Sequence, residues 1–286
     1  MDHEIVHKEG MLTNGRLQLE YLTDCGPRII SFKRVGGENL LAQTGKVENT
    51  PWGEYHFYGG HRLWRSPELF PETYAPDDTL LQINRLSDGV ELLGAVEGGS
   101  GLQKSITVRF NETGNGVRLT HILRNASAQP RQIAPWAITM LRTGGVVILP
   151  QNPGEVGSLL PNRNLVLWPY TEAEDPRLTL RNTYIKLRAT PGRGAFKMGQ
   201  YLSAGWVGYR LDDVFFVKSF SGKPGNYPDG NCNAEVYLCD EFVELESLGP
   251  LASVEPDGYL IHEEGWLLYT GEENPFFPGR EFSDDR

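Results

Sequence analysis

Between Asp240 and Pro250 the chain reads DEFVELESLGP. In an extended strand Phe242, Glu244, Glu246 and Leu248 share one face, and Val243, Leu245 and Ser247 share the other. Two carboxylates therefore stand side by side, about 6.5–7 Å apart at Cα by strand rise. Partial desolvation between Phe242 and Leu248 would raise a carboxyl pKa and give a general base usable near neutrality. A solvated face, or an ion-pair ladder with Arg or Lys on a neighbouring strand, is the alternative for the same residues. A second constellation is GGHRLWRSPE, Gly59 to Glu68. Gly59 and Gly60 admit close backbone approach. Trp64 offers an apolar face to the C–H surface of a sugar ring, and Arg62 a fixed fork of donors for hydroxyls. The bland alternative is a structural salt bridge beneath a packed Trp, with His61 exposed. In an extended chain His61 and Arg62 face opposite ways, so at most one of them reaches a common ligand.

Other chemistry finds less support. His121 alternates with Val117, Leu119 and Leu123 on an apolar face and reads as a core histidine. There is no HExxH, Cys/His cluster, P-loop, GxGxxG after a strand or GxSxG elbow, so neither a metal nor a cofactor is expected. Asp77, Asp78 and Asp229 read as solvated loop acids. Cys232 and Cys239 lie seven apart across a strand pattern, and with Cys25 make three cysteines; reduced thiols are expected.

The elements that must position these residues carry a period-two signal almost throughout, between Gly, Pro, Asn and Asp punctuation. About fourteen strands are predicted, including RIISFKRV, VRLTHILRN, RQIAPWAITML, DVFFVKSF and GYLIHEEGWLLY, with AEVYLCDEFVELESL taken as one. SDG before Val90, ETGNG before Val117 and LDD before Val214 supply hairpin turns. So many strands exceed one open sheet, and two packed sheets are the solution. The expected fold is all-β, a large antiparallel sandwich forming a single domain over residues 1–286. Two interruptions, from about Gly45 to Asp78 and from Ser221 to Asn233, are rich in aromatics, Gly and Pro and are expected as loops walling a site.

Composition agrees with a folded domain: of the 286 residues 39% are hydrophobic and 22% charged. A formal net charge of −10, with no basic stripe interleaved with aromatics, argues against a nucleic-acid partner. No stretch approaches the roughly 18 apolar residues of a membrane helix, and the N-terminus has neither a basic nor an apolar leader region. A cytosolic protein without membrane association is expected.

Taken in order, GGHRLWRSPE, APWAITML around Trp136, YPDGNCNAEVYL from Tyr227 and FVELESLGPL before the Trp266 strand resemble the galactose mutarotase-like superfamily, and within it the bacterial proteins grouped under the domain of unknown function DUF4380. In aldose mutarotases of that superfamily a late-strand glutamate takes the proton of the anomeric hydroxyl while a histidine protonates the ring oxygen. The resemblance matches Glu246 to that glutamate, with Glu244 the alternative, and Arg62 to an early-strand arginine that binds sugar hydroxyls. It also puts Trp136 where the acid histidine would stand, and an indole offers only an N–H donor. His61, Tyr227 or a water would then have to supply the proton. The expected partner is a small carbohydrate, held by Arg62, Trp64 and Trp136 beneath a roof formed by the Tyr227 loop. Three functions are compatible with these residues: an aldose mutarotase or epimerase, a sugar-binding protein that has lost the acid, and a glycoside hydrolase or lyase using Glu244 and Glu246. The last suits them least, because neighbours on one strand face project in parallel rather than from opposite sides of a bond.

Overall fold

A computed structural model describes residues 7–155 and 157–271. Among these, 22 strands are accompanied by a single-turn 3-10 segment at Glu72–Tyr74 and a short helical turn at Pro228–Asn231. No helix among the described residues is long and apolar enough to cross a membrane.

The strands form two large antiparallel sheets and one small hairpin. In the first sheet the order is Glu9–Thr13, Leu17–Leu22, Arg28–Arg34, His61–Ser66, Arg131–Arg142, Phe242–Leu248, Ala234–Leu238, Phe196–Gln200 and Val166–Leu167, with Ala252–Val254 also paired to Arg131–Arg142. The second runs Leu178–Leu180, Tyr184–Arg188, Val146–Pro150, Trp206–Leu211, Val214–Ser219, Tyr259–Thr270, Gly116–Asn125, Leu102–Phe110, Gly89–Val96 and Gln82–Arg85. The three predicted hairpins form as antiparallel neighbours. Alternation fixes which residues meet between the sheets. Leu19, Phe32, Met198, Val236, Val243 and Leu245 of the first pack with Val90, Ile106, Leu119, Val147, Phe216 and Trp266 of the second. Trp266, fully buried, meets Phe32 and Phe216 edge to face at 5.4 and 5.5 Å.

Two expectations about elements are corrected. Residues 45–78 are not one irregular loop: Val47–Thr50 pairs with Gly53–His56, and His61–Ser66 is an inner strand of the first sheet. All six residues of that strand are buried, so both faces are covered and the polar-out half of the alternation is missing. Gly59 and Gly60, with φ of 90° and 67°, turn the chain into it. A Cβ on Gly60 would lie 2.0 Å from the Ile29 carbonyl oxygen, so glycine is required by close approach as well as by backbone sign. AEVYLCDEFVELESL, in turn, is two paired strands turning at residues 239–241 rather than one.

Candidate functional site

Register builds the site. Ile138 is the cross-strand partner of both Arg62 and Glu246, and Glu246 is in turn the partner of Glu235. Trp136 pairs with Trp64 and Leu248, Met140 with Glu244, Glu244 with Tyr237, and Tyr237 with Lys197. Directly paired residues project from the same face of a sheet. The outer face of the first sheet therefore gathers arginine, lysine, carboxylates and indoles from five adjacent strands. A cavity of about 200 Å³ lies over this face. Arg62, Trp64, Trp136, Lys197, Glu244 and Glu246 line it, and Lys46, Phe57, Glu68, Tyr74, Tyr170, Tyr237 and Phe242 stand around them.

Arg62 donates from Nη2 to Glu244 Oε1 over 2.9 Å, and its guanidinium lies 4.2 Å from the centre of the Trp64 ring. Its Nε and Nη1 are buried without a hydrogen-bond acceptor. Trp64 is held by its own N–H, which donates to Tyr55 Oη at 2.8 Å, and by the ring of Trp136 at 5.4 Å. An aromatic face so covered leaves less of the indole for a sugar than the sequence suggests. Glu246 Oε2 accepts from the Trp136 indole N–H at 2.7 Å and from Lys197 Nζ at 3.0 Å. Lys197 in turn lies 2.8 Å from Glu235 Oε2 and sits between the Trp136 and Trp168 rings at 4.7 and 4.6 Å.

Burial and electrostatics separate these groups. Burial pushes the Glu244 carboxyl up, with Glu246 adding to it and Arg62 opposing it. Glu235, 1% exposed, is pushed well above the ordinary carboxylate range by burial, against the pull of Lys197. Neither of its oxygens receives an aligned hydrogen bond, although the ammonium is at ion-pair distance. For Lys197 burial works against the charge, and Glu246 and Glu235 more than reverse that, holding the ammonium above its ordinary value.

Two predicted site residues stand elsewhere. His61 is fully buried on the opposite face of its strand, pointing between the sheets, so it cannot protonate a ligand held over Arg62. The alternation that carries Arg62 outward carries His61 inward. Tyr227 does not line the cavity: it is 4% exposed, donates its hydroxyl to the Lys223 carbonyl at 2.7 Å and packs on Tyr201. The walls come instead from Phe57, Glu68, Tyr74 and Tyr170. The sequence reading missed Lys197 and Glu235. For Glu235 a signal was present, since Ala234, Val236 and Leu238 alternate with Glu235 and Tyr237. Lys197 sits in the short run FKMGQ, too brief to declare a period.

Directly beneath the site His61 joins a buried polar cluster. Its Nε2 meets His121 Nε2 at 2.7 Å and its Nδ1 meets Thr139 Oγ1 at 2.9 Å. His121 Nδ1 donates to the His262 carbonyl, so in the neutral form His121 Nε2 is the acceptor and His61 Nε2 the donor. Lys218 donates to the Ala137 and Leu245 carbonyls and pairs with Glu264 Oε1 at 2.8 Å. Ser247 and the Trp266 indole also donate to Glu264. Ligand atoms of His61, His121 and Glu264 lie within 4.8 Å of one another, as do those of His7, Asp24 and Cys25, spacings a metal ion could use. In the first group the Lys218 ammonium already occupies the carboxylate, and a dication added beside it in a dry core would exceed what one carboxylate neutralises.

The comparisons bear on the whole arrangement. No protein-family profile and no curated protein sequence matches the chain. Among solved structures it is similar to a Synechocystis sp. PCC 6803 protein, with 12% identity, 93% of this chain and 97% of that one covered, and a TM-score of 0.62. A galactose mutarotase-like protein from Lactobacillus casei gives 9% identity, 92% and 100% coverage, and a TM-score of 0.62. A galactose mutarotase-like protein from Clostridium acetobutylicum gives 10%, 94% and 98%, and 0.56. The chain has the galactose mutarotase-like fold. At these identities the likeness establishes the sandwich, as the sequence predicts, while the roles of individual side chains must be argued from this fold's own outer face.

Proposed function

We propose that the cavity over the first sheet binds a single sugar ring and that Glu246 takes the proton of its anomeric hydroxyl, an aldose mutarotase-type reaction. One observation carries this reading: Glu246 lines the cavity with Oε2 fixed by Trp136 and Lys197, so a carboxylate is oriented before any ligand arrives. The size agrees. At about 200 Å³ the cavity falls below the roughly 300–1,000 Å³ of sites for drug-sized ligands and suits one ring better than a chain. Its aromatic walls and mixed cations and carboxylates match the amphipathic surface of a monosaccharide.

A second reading, a sugar-binding protein without catalysis, is favoured by a separate observation: among the described residues no histidine lines the cavity. Magnetisation-exchange NMR on a panel of hexoses and pentoses separates the two. Anomer exchange accelerated by the wild type and abolished in Glu246→Gln is the expected result. Saturable binding without exchange would establish the second reading, and absence of binding to every sugar in the panel would overturn both.

A further inference from the structure

A hemiacetal ring cannot open by loss of the anomeric proton alone; its ring oxygen must gain one. Two buried carboxylates here share a single ammonium: Lys197 Nζ is 2.8 Å from Glu235 Oε2 and 3.0 Å from Glu246 Oε2. The three side chains are almost fully buried, at 7%, 0% and 1% exposure for Lys197, Glu235 and Glu246. One positive charge against two negative ones leaves an uncompensated charge out of water, a state relieved by uptake of a proton. Glu235 is the carboxylate that takes it, because Glu246 Oε2 has two donors aligned on it while neither Glu235 oxygen has one. The groups facing Glu235 are Lys197, Glu246, Asp229, Tyr170 and the Cys232 thiol. Those facing Lys197 are Glu246, Glu235, Glu244, Tyr170 and the Cys232 thiol. Lys197 is the cation within this group.

The geometry points to Lys197 as the proton donor to the sugar's ring oxygen and to Glu235 as the residue that replaces the proton Lys197 gives up. Lys197 donates one Nζ–H to Glu246 and stands at ion-pair distance from Glu235, and the lysine lines the cavity, so an N–H remains for a ligand. The step balances. Glu246 accepts the hydroxyl proton as the bond from C1 to the ring oxygen breaks and the C1 carbonyl forms. The ring oxygen takes a proton from Lys197, and Lys197 takes one from Glu235. After rotation about C1–C2 the ring oxygen returns its proton through Lys197 to Glu235 as it attacks C1, and the carbonyl oxygen recovers the proton held by Glu246. Lys197 touches the substrate in this scheme, whereas Glu235 acts through Lys197. The scheme rests on the reading of Glu246 as the base.

The test is Glu235→Gln, which removes the dischargeable proton without leaving a buried charge. Anomer exchange is expected to fall about 100-fold, within the range general acid catalysis supplies, while sugar affinity changes less than about threefold. Wild-type exchange is expected to decline at alkaline pH as Glu235 loses its proton, and in the variant that decline is expected to vanish. Carbon-13 observation of the Glu235 carboxyl in the full-length wild-type chain is expected to show it protonated at pH 7. An ionised Glu235 carboxyl at pH 7, or a variant that keeps both wild-type exchange and the alkaline decline, overturns the relay. Failure of the base assignment has a different signature, full exchange in Glu246→Gln.

Discussion

The Trp136 indole N–H donates to Glu246 Oε2 over 2.7 Å, and its ring lies 4.7 Å from Lys197 Nζ. One side chain thus orients the proposed base and flanks the cation beside it. The resemblance places Trp136 at the position of an acid; in this fold its N–H is a hydrogen-bond donor to the carboxylate instead. Trp136→Phe tests that contribution: an aromatic ring stays in place, the N–H donor is lost, and part of the buried indole volume goes with it. A hydrogen bond to a charged group contributes about 1.5–3 kcal/mol, and a misplaced reacting group costs on the order of 100-fold in rate. The variant is expected to lose at least about 1.5–3 kcal/mol of stability in denaturant titration, the unfilled volume adding to the lost hydrogen bond. Its anomer exchange should slow 10- to 100-fold, with sugar affinity reduced by less than tenfold. Unchanged exchange would show that Glu246 needs no orienting donor. Residue types alone signalled the carboxylates and Arg62, yet not their partners, because Lys197 and Glu235 reach Glu246 only through strand order.

At the scale of elements, Val214–Ser219 of the second sheet contributes Lys218, whose ammonium donates to the Ala137 carbonyl of Arg131–Arg142 and the Leu245 carbonyl of Phe242–Leu248. These two strands carry Trp136, Glu244 and Glu246 on their other face. A cation bonded to both backbones fixes the spacing of the strands that bear the site, with Glu264 neutralising it at 2.8 Å. Lys218→Met leaves Glu264 buried and unpaired, which costs about 3–5 kcal/mol. Lys218→Met combined with Glu264→Gln removes both charges and is expected to be less destabilised than the sum of the two single variants by more than about 1 kcal/mol. Additive losses in urea midpoints would show that the pair is not coupled. The partner in the other sheet was beyond the sequence, although alternation in DVFFVKSF places Lys218 on the face of Val214 and Phe216. The predicted strands of the second sheet are legible because hairpin turns and alternation agree. His61–Ser66 is not, because a strand buried on both faces loses the polar half of its pattern, and Phe196–Gln200 is too brief to declare a period.

For the molecule as a whole, the cluster between the sheets governs behaviour in acid. His61, His121 and His262 are 0%, 0% and 5% exposed. Burial pushes the His61 and His121 pKa values down, and that of His262 down to about 3. Burial would raise Glu264, but the Lys218 ammonium holds it below the ordinary carboxylate range. An imidazole whose folded pKa is depressed stays neutral while the unfolded chain takes up its proton, so the unfolded state binds more protons and stability falls as pH drops below about 6.5. Glu264 acts in the same direction below its unfolded value. Glu235 and Glu244, raised in the fold, act oppositely, since the folded state holds their protons more tightly and the benefit is lost as pH rises. Substituting one histidine separates these contributions. His262→Gln retains an amide that can bond Ser247, which His262 Nε2 meets at 2.6 Å, and removes one titrating group. Between about pH 6 and pH 4 each such histidine steepens the pH dependence of unfolding free energy by about 1.4 kcal/mol per pH unit. The dependence of His262→Gln, followed by denaturant midpoints across that window, is expected to be shallower than wild type by that amount. Parallel curves would mean that His262 is protonated inside the fold, and that the charge balance described for the cluster is wrong.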